Sequence, residues 1–176
     1  MRLDYLILIG LAPPLLYVGA RVASHVILPP VAIPSPATST PFEPLQFFEG
    51  PTSGTGTLHR LDSREFDLSV QSNGKRLPDG GLELNQTITL EGQPERTRTW
   101  ILKADGDNRY SGTLSDATGA VSAITGGRRM VITYDADGRT IRQTLTQVDD
   151  HKLLNRLDVY QWGINVARVN ETITRP

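Results

Sequence analysis

From Phe47 to the C-terminus, apolar and polar residues alternate with period two, and turn-forming residues break the alternation every 8 to 14 residues. Side chains in an extended strand point alternately to opposite faces, so this pattern predicts strands with one buried and one wet face. A first strand is expected over Thr55 to Leu61 and a second over Arg64 to Gln71, with Phe66, Leu68 and Val70 on one face and Asn73-Gly74 at its end. The turn Pro78-Asp79-Gly80-Gly81 leads into Leu82 to Leu90, whose even positions are apolar except Gln86. Arg96 to Ala104 follows, with Arg98, Trp100 and Leu102 sharing a face. Asp105-Gly106-Asp107-Asn108 turns the chain into Arg109 to Leu114, and Thr118-Gly119 into Ala120 to Thr125. Strands are then expected over Arg128 to Tyr134, Arg139 to Asp149, Leu153 to Tyr160 and Ile164 to Thr174. Asp135-Ala136-Asp137-Gly138 reads as a hairpin turn.

About ten strands joined by hairpins, with no crossover segments, predict an antiparallel meander. A sheet that long normally curls and closes, so the expected fold is all-β, an up-and-down barrel of about 8–10 strands. A two-sheet sandwich is the alternative that the pattern leaves open. An outer-membrane pore is disfavoured, because the second strand face is too polar and the aromatic girdle residues are too few.

The segment before the barrel has a different character. Met1 to Ala20 carries Arg2 and Asp4 and then an uncharged apolar run from Tyr5 to Ala20, the length of a signal-peptide core rather than a full bilayer span. Residues 1–28 are expected to form a hydrophobic leader helix, serving either as a cleaved signal peptide or, extended through Val26-Ile27-Leu28, as an uncleaved anchor. Residues 29–45 are rich in proline, with Glu43 the only charge, and read as an extended linker. The barrel domain is then expected over 46–176, entered through Phe47-Phe48-Glu49-Gly50-Pro51-Thr52-Ser53-Gly54-Thr55-Gly56.

Charge and composition remove several classes of function. With 18 basic and 19 acidic residues interspersed, there is no basic footprint for nucleic acid. The absence of cysteine removes thiol catalysis, disulfides and thiolate zinc sites. No G-x-S-x-G elbow occurs, and Ser53 stands in the glycine-rich entry. Asp149-Asp150-His151 has the residue types of a small divalent-metal or acid–base site, but the same trio suits a polar strand end. Asp135-Ala136-Asp137-Gly138 lacks the far ligands of a calcium loop. No metal site, no cofactor and no enzymatic activity are expected.

Arg98 stands out, since its parity with Trp100 and Leu102 aims it at an apolar face. A guanidinium there needs an anion, an aromatic face or water. It would either meet the acidic head of a lipid, or pair with a carboxylate such as Glu49, or stack on Trp100 or Tyr110. Arg98, Trp100, Tyr110 and Gln86 are the candidate ligand-binding residues.

Phe47-Phe48-Glu49-Gly50 with Gly54-Thr55-Gly56, then Arg98-Thr99-Trp100, Tyr110-Ser111-Gly112-Thr113, Asp116-Ala117-Thr118-Gly119-Ala120, Asn155-Arg156 and Trp162-Gly163-Ile164-Asn165-Val166 together resemble the bacterial envelope proteins grouped as domain of unknown function 3833. The resemblance covers nearly everything from Phe47 to Ile173. It implies a lipocalin-like barrel on the periplasmic side of a bacterial envelope, anchored in the inner membrane if the leader is kept. The chain lacks the lipoprotein cysteine of many relatives, and His151 stands where the family pattern has tryptophan. The expected partner is a lipid or other hydrophobic or amphipathic small molecule. A structural or assembly role through another envelope protein is the alternative, and no nucleic-acid partner is expected.

Overall fold

The structure, a computed structural model, describes residues 41–176. The expected leader helix over 1–28 and residues 29–40 of the expected linker lie outside the described residues. The chain enters through a single helical turn, α1 (Pro44–Phe47), followed by β1 (Gly50–Arg60), β2 (Glu65–Arg76), β3 (Leu82–Leu90), β4 (Arg96–Ala104) and β5 (Arg109–Leu114). Then come β6 (Val121–Gly126), β7 (Arg129–Ala136), β8 (Arg139–Asp149), β9 (Lys152–Gln161) and β10 (Ile164–Thr174). Each strand pairs antiparallel with the next, and β10 returns to β1 in a ladder from Ser53↔Thr174 to Arg60↔Ala167. That ladder closes the barrel and excludes the two-sheet sandwich. Among the described residues no helix is long and apolar enough to cross a membrane.

The strands form where the alternation placed them because each commits one face to the interior. Leu82, Leu84 and Ile88 of β3 oppose Leu102, Trp100 and Arg96 of β4, and Met130 and Ile132 of β7 oppose Leu145 and Gln143 of β8. Local chemistry sets the hairpins: Asp137-Gly138 and Trp162-Gly163 both take positive φ, which matches the twist of the strands that they join. Irregular pairing between Asn165 and Ala167, and between Gln147 and Asp149, bends β10 and β8 around the closing wall.

One end of the barrel is plugged. Phe42, Leu45, Phe47 and Phe48 are buried in the same apolar cluster as Leu82, Leu102, Met130, Leu145 and Leu153. Phe47 meets Phe42 and Phe48 edge-on, at centroid distances of 6.1 and 5.2 Å. The plug is tied down by backbone bonds: Phe42 N–H donates to Gly127 O (2.9 Å), and Arg175 donates from Nη1 to Gln46 O (3.0 Å), its guanidinium lying over the Phe47 ring. Among the described residues, packing against the barrel thus extends back to Phe42, within the expected linker. Pro44 opens α1, where its missing N–H costs no helical bond and its fixed φ suits the first turn. Proline-rich composition discouraged a helix in this stretch, yet one turn needs proline at its first position alone.

A second departure is at Asn73-Gly74, expected to end the second strand. β2 instead runs on to Arg76, with Gly74 facing inward, where a Cβ would overlap the Phe48 carbonyl. The glycine permits close approach of the plug, not a turn.

Candidate functional site

The interior changes character with depth. At the plugged end it is apolar and full. A void of about 50 Å³ lies above the plug, lined by Phe48, Leu84, Trp100, Met130 and Leu145, and bounded by the polar groups of Gln86, Arg98, Gln143, Asn155 and Glu171. Those five side chains form a belt across the middle of the barrel. Beyond it the barrel opens into a mouth of about 870 Å³, walled by Leu58, Phe66, Leu68, Ile88, Val159 and Val169 among others. The void can hold water, whereas the mouth is within the size range of pockets that bury whole small molecules.

The belt is held in place by its own hydrogen bonds. Arg98 Nε donates to Gln86 Oε1 (2.8 Å), and Trp100 Nε1 donates to the same oxygen (2.7 Å). Gln86 Nε2 in turn donates to Ser72 Oγ (3.0 Å). The Arg98 guanidinium lies 5.3 Å from the Trp100 ring centroid, and Tyr134 meets the same indole edge-on, its ring 5.5 Å away. Burial raises the pKa of the Tyr134 hydroxyl, and the positive charge of Arg98 pulls it partly back.

Glu171 occupies the opposite wall. It is buried and accepts a hydrogen bond from Asn155 Nδ2 (2.7 Å). Its other oxygen fills the space that a Cβ on Gly54 would take, which gives the inward glycine of the Gly54-Thr55-Gly56 segment a structural purpose. Burial raises the Glu171 pKa above its ordinary value of 4.5, while the Asn155 bond and the Arg98 charge oppose the shift. A raised carboxyl pKa means that the folded state binds the extra proton, so stability falls as pH rises from the unfolded value through the folded one. Glu171→Gln, which keeps an acceptor for Asn155, is expected to remove that fall. Urea midpoints of variant and wild type should converge at the acid end and separate in the variant's favour above pH 4.5. A constant difference at all pH values would exclude a buried titrating carboxylate here.

Asp158 titrates in the opposite sense. Burial pushes its pKa up, but donors on Arg168 (2.6 Å), Arg156 (2.8 Å) and Asn165 (2.8 Å) outweigh it and hold the carboxyl below 3.8. Its contribution is present above that pH and lost below it.

Of the four residues singled out from sequence, Gln86, Arg98 and Trp100 are brought together in the belt. Arg98 stacks on Trp100, and Glu49 instead pairs with Arg76 (3.2 Å). Tyr110 is elsewhere: it is half-buried at the plugged end, beside Phe42, Glu43, Asn108 and Thr125. Burial, then the charge of Glu43, raises its pKa. Gln143, Asn155 and Glu171 were missed. Each is a polar residue at an apolar phase of its strand, between Ile141 and Leu145, Leu153 and Leu157, and Val169 and Ile173, the same signal that exposed Gln86.

The other candidate groups resolve into structure. Asp149 Oδ1 accepts the backbone N–H of His151 (2.9 Å), and His151 Nδ1 bonds to Pro176 O (3.0 Å), so the trio shapes the turn between β8 and β9. Among the described residues, no group of three or more histidine, aspartate or glutamate side chains is arranged to hold a metal ion. His59 bonds to Glu65 (3.0 Å), and Ser53 pairs with Thr174 (3.2 Å) across the closing ladder.

The fold and site together define a small antiparallel β-barrel, plugged at one end, crossed by a polar belt and open at the other. The chain belongs to the DUF3833 family, described as proteins of unknown function, whose pattern matches residues 34–175. No curated protein matches it in sequence. Among solved structures, the S-type phycobiliprotein lyase CPES from Guillardia theta is similar with a TM-score of 0.62 at 8% identity, over 75% of this chain and 90% of that one. A protein of unknown function from the DUF3598 family of Nostoc punctiforme also scores 0.62, at 14% identity, over 81% of this chain and 52% of that one. At these identities the likeness is one of fold.

Proposed function

We propose that this protein is a non-enzymatic binding barrel that takes a hydrophobic or amphipathic small molecule, such as a lipid, through its open mouth. The observation that carries this reading is the one-sided filling of the barrel. Side chains pack the plugged half solidly, while the other half leaves about 870 Å³ walled by half-exposed apolar side chains. A purely structural barrel gains nothing from apolar surface held open to water, since burying it would stabilise the fold by about 25 cal/mol per Å².

The alternative, an assembly role through a protein partner, would call for a broad apolar patch on the outside. Among the described residues, the large hydrophobic side chains that are exposed are Ile124 and Trp162, on β6 and on the turn between β9 and β10. Two separated side chains do not make such a patch.

We place the protein on the periplasmic side of a bacterial envelope, on the strength of the apolar run from Tyr5 to Ala20. Native mass spectrometry of the full chain purified from a bacterial host, followed by organic extraction, tests the binding reading. A stoichiometric adduct of lipid size is the expected result. A clean apo mass, with no uptake of added fatty acid or phospholipid, would reject it. Alkaline phosphatase fused after Pro176 is expected to be active in cells, and an inactive fusion would reject the location.

A further inference from the structure

The charges lining the mouth are unbalanced in sign. The whole chain carries 18 basic and 19 acidic residues, yet Arg60, Arg96, Arg98 and Arg139 line the mouth against Asp116 alone. Other acidic residues at this end, Asp62, Glu91, Glu95 and Asp137, belong to turns outside the lining, and Asp62 pairs with Arg60 (3.9 Å), which leaves Arg96, Arg98 and Arg139 as the excess.

The charges are also unevenly placed. Strands β9, β10, β1, β2 and β3 are consecutive around the ring, and they supply the apolar wall. Arg96 and Arg98 come from β4, just beyond that run, and Arg139 from β8 at its other edge, while Arg60, at the end of β1 within the wall, is the one that Asp62 pairs with. Two residues apart on one strand, Arg96 and Arg98 share the inward face and stand about 7 Å from each other along it.

Arg98 is the cation at the floor. Gln86 engages its Nε, the Tyr134 hydroxyl accepts a further hydrogen bond from it and Trp100 covers its face, but among the described residues no carboxylate forms an ion pair with it. Glu171, the carboxylate at the same depth, is turned toward Asn155 and the Gly54 recess. A guanidinium fixed in orientation beside apolar surface, with donors to spare, is a receptor for a planar acid group.

We infer that the mouth takes an amphipathic anion, its apolar body against the wall from β9 to β3 and its acid group on Arg98, with Arg96 above. This rests on the small-molecule reading of the barrel. Calorimetric titration of the full chain with dodecanoate, 1-dodecanol and dodecyltrimethylammonium, each below its micelle-forming concentration, separates the two claims. Dodecanoate is expected to bind at least about tenfold tighter than the alcohol, and the ammonium more weakly than either. Added salt weakens the acid and not the alcohol. Arg98→Met brings dodecanoate down to the level of the alcohol. Arg96→Met, at an exposed position of β4 where substitution is expected to change stability little, gives a partial loss and decides the matter if the Arg98 variant does not fold. Equal affinity for acid and alcohol overturns the anion inference and leaves the barrel reading intact. No binding by any of the three overturns both. A preference for the acid that survives in both variants overturns its assignment to the β4 wall.

Discussion

Phe47→Ala is expected to destabilise the barrel by about 3–5 kcal/mol, the usual range for deleting a buried aromatic ring. Phe47 is 3% exposed and contacts Phe42 and Phe48 edge-on, with the Arg175 guanidinium 5.7 Å from its ring centroid. Its loss would leave a cavity between the plug and the floor of the barrel, and α1 has only four residues with which to collapse into it. Equilibrium urea unfolding followed by tryptophan fluorescence measures the effect, because Trp100 lies in the same core cluster. A loss below about 1 kcal/mol, the size seen for surface positions, would mean that the plug decorates the barrel without closing it.

Gly74→Ala carries the second large effect, although it adds only a methyl group. The new Cβ would overlap the Phe48 carbonyl, which is backbone and cannot rotate away. Either β2 shifts from β1, breaking the pairing at Gly50↔Gly74, or the plug backs out of the barrel. Overpacking of this kind costs about 1–3 kcal/mol and occasionally more. The same urea titration reads the loss, and a neutral substitution would show that the plug is already loose. The two variants share one mechanism if the plug backs out, so the double variant should lose less than the sum of the singles. Strict additivity would instead locate the damage from Gly74→Ala in the β1–β2 ladder.

The strands were legible in sequence because their signal is local. β3, β4, β5, β8 and β10 begin and end where alternation and turn residues placed them. Gln86 and Arg98 were legible as inward polar residues for the same reason: each breaks an apolar phase in a strand with clear period. Gln143, Asn155 and Glu171 obey that rule as well, but the longer, more polar strands β8, β9 and β10 blur it. Tyr110 illustrates the limit of parity. It points toward the interior like Trp100, yet inward is a direction and says nothing of depth, and this ring stands beside the plug. Phe42 and Pro44 were obscured by composition, since a proline-rich run looks extended until there is a barrel end to receive it.

The sequence, then, carried an all-β meander and the face of each strand, because periodicity and turn chemistry act between near neighbours, and its shared motif residues carried the resemblance to the family that the match over residues 34–175 shows. Tertiary structure alone decided closure by β10 on β1, the plug at one end, and the common depth of Arg98, Gln86 and Glu171 around one void. Closure and the seating of the plug depend on contacts between residues more than a hundred positions apart, such as Ser53 with Thr174 and Gln46 with Arg175. No local pattern encodes which end of a barrel is filled. That follows from which side chains arrive at the same depth from ten different strands, and from the inward glycines that let them approach.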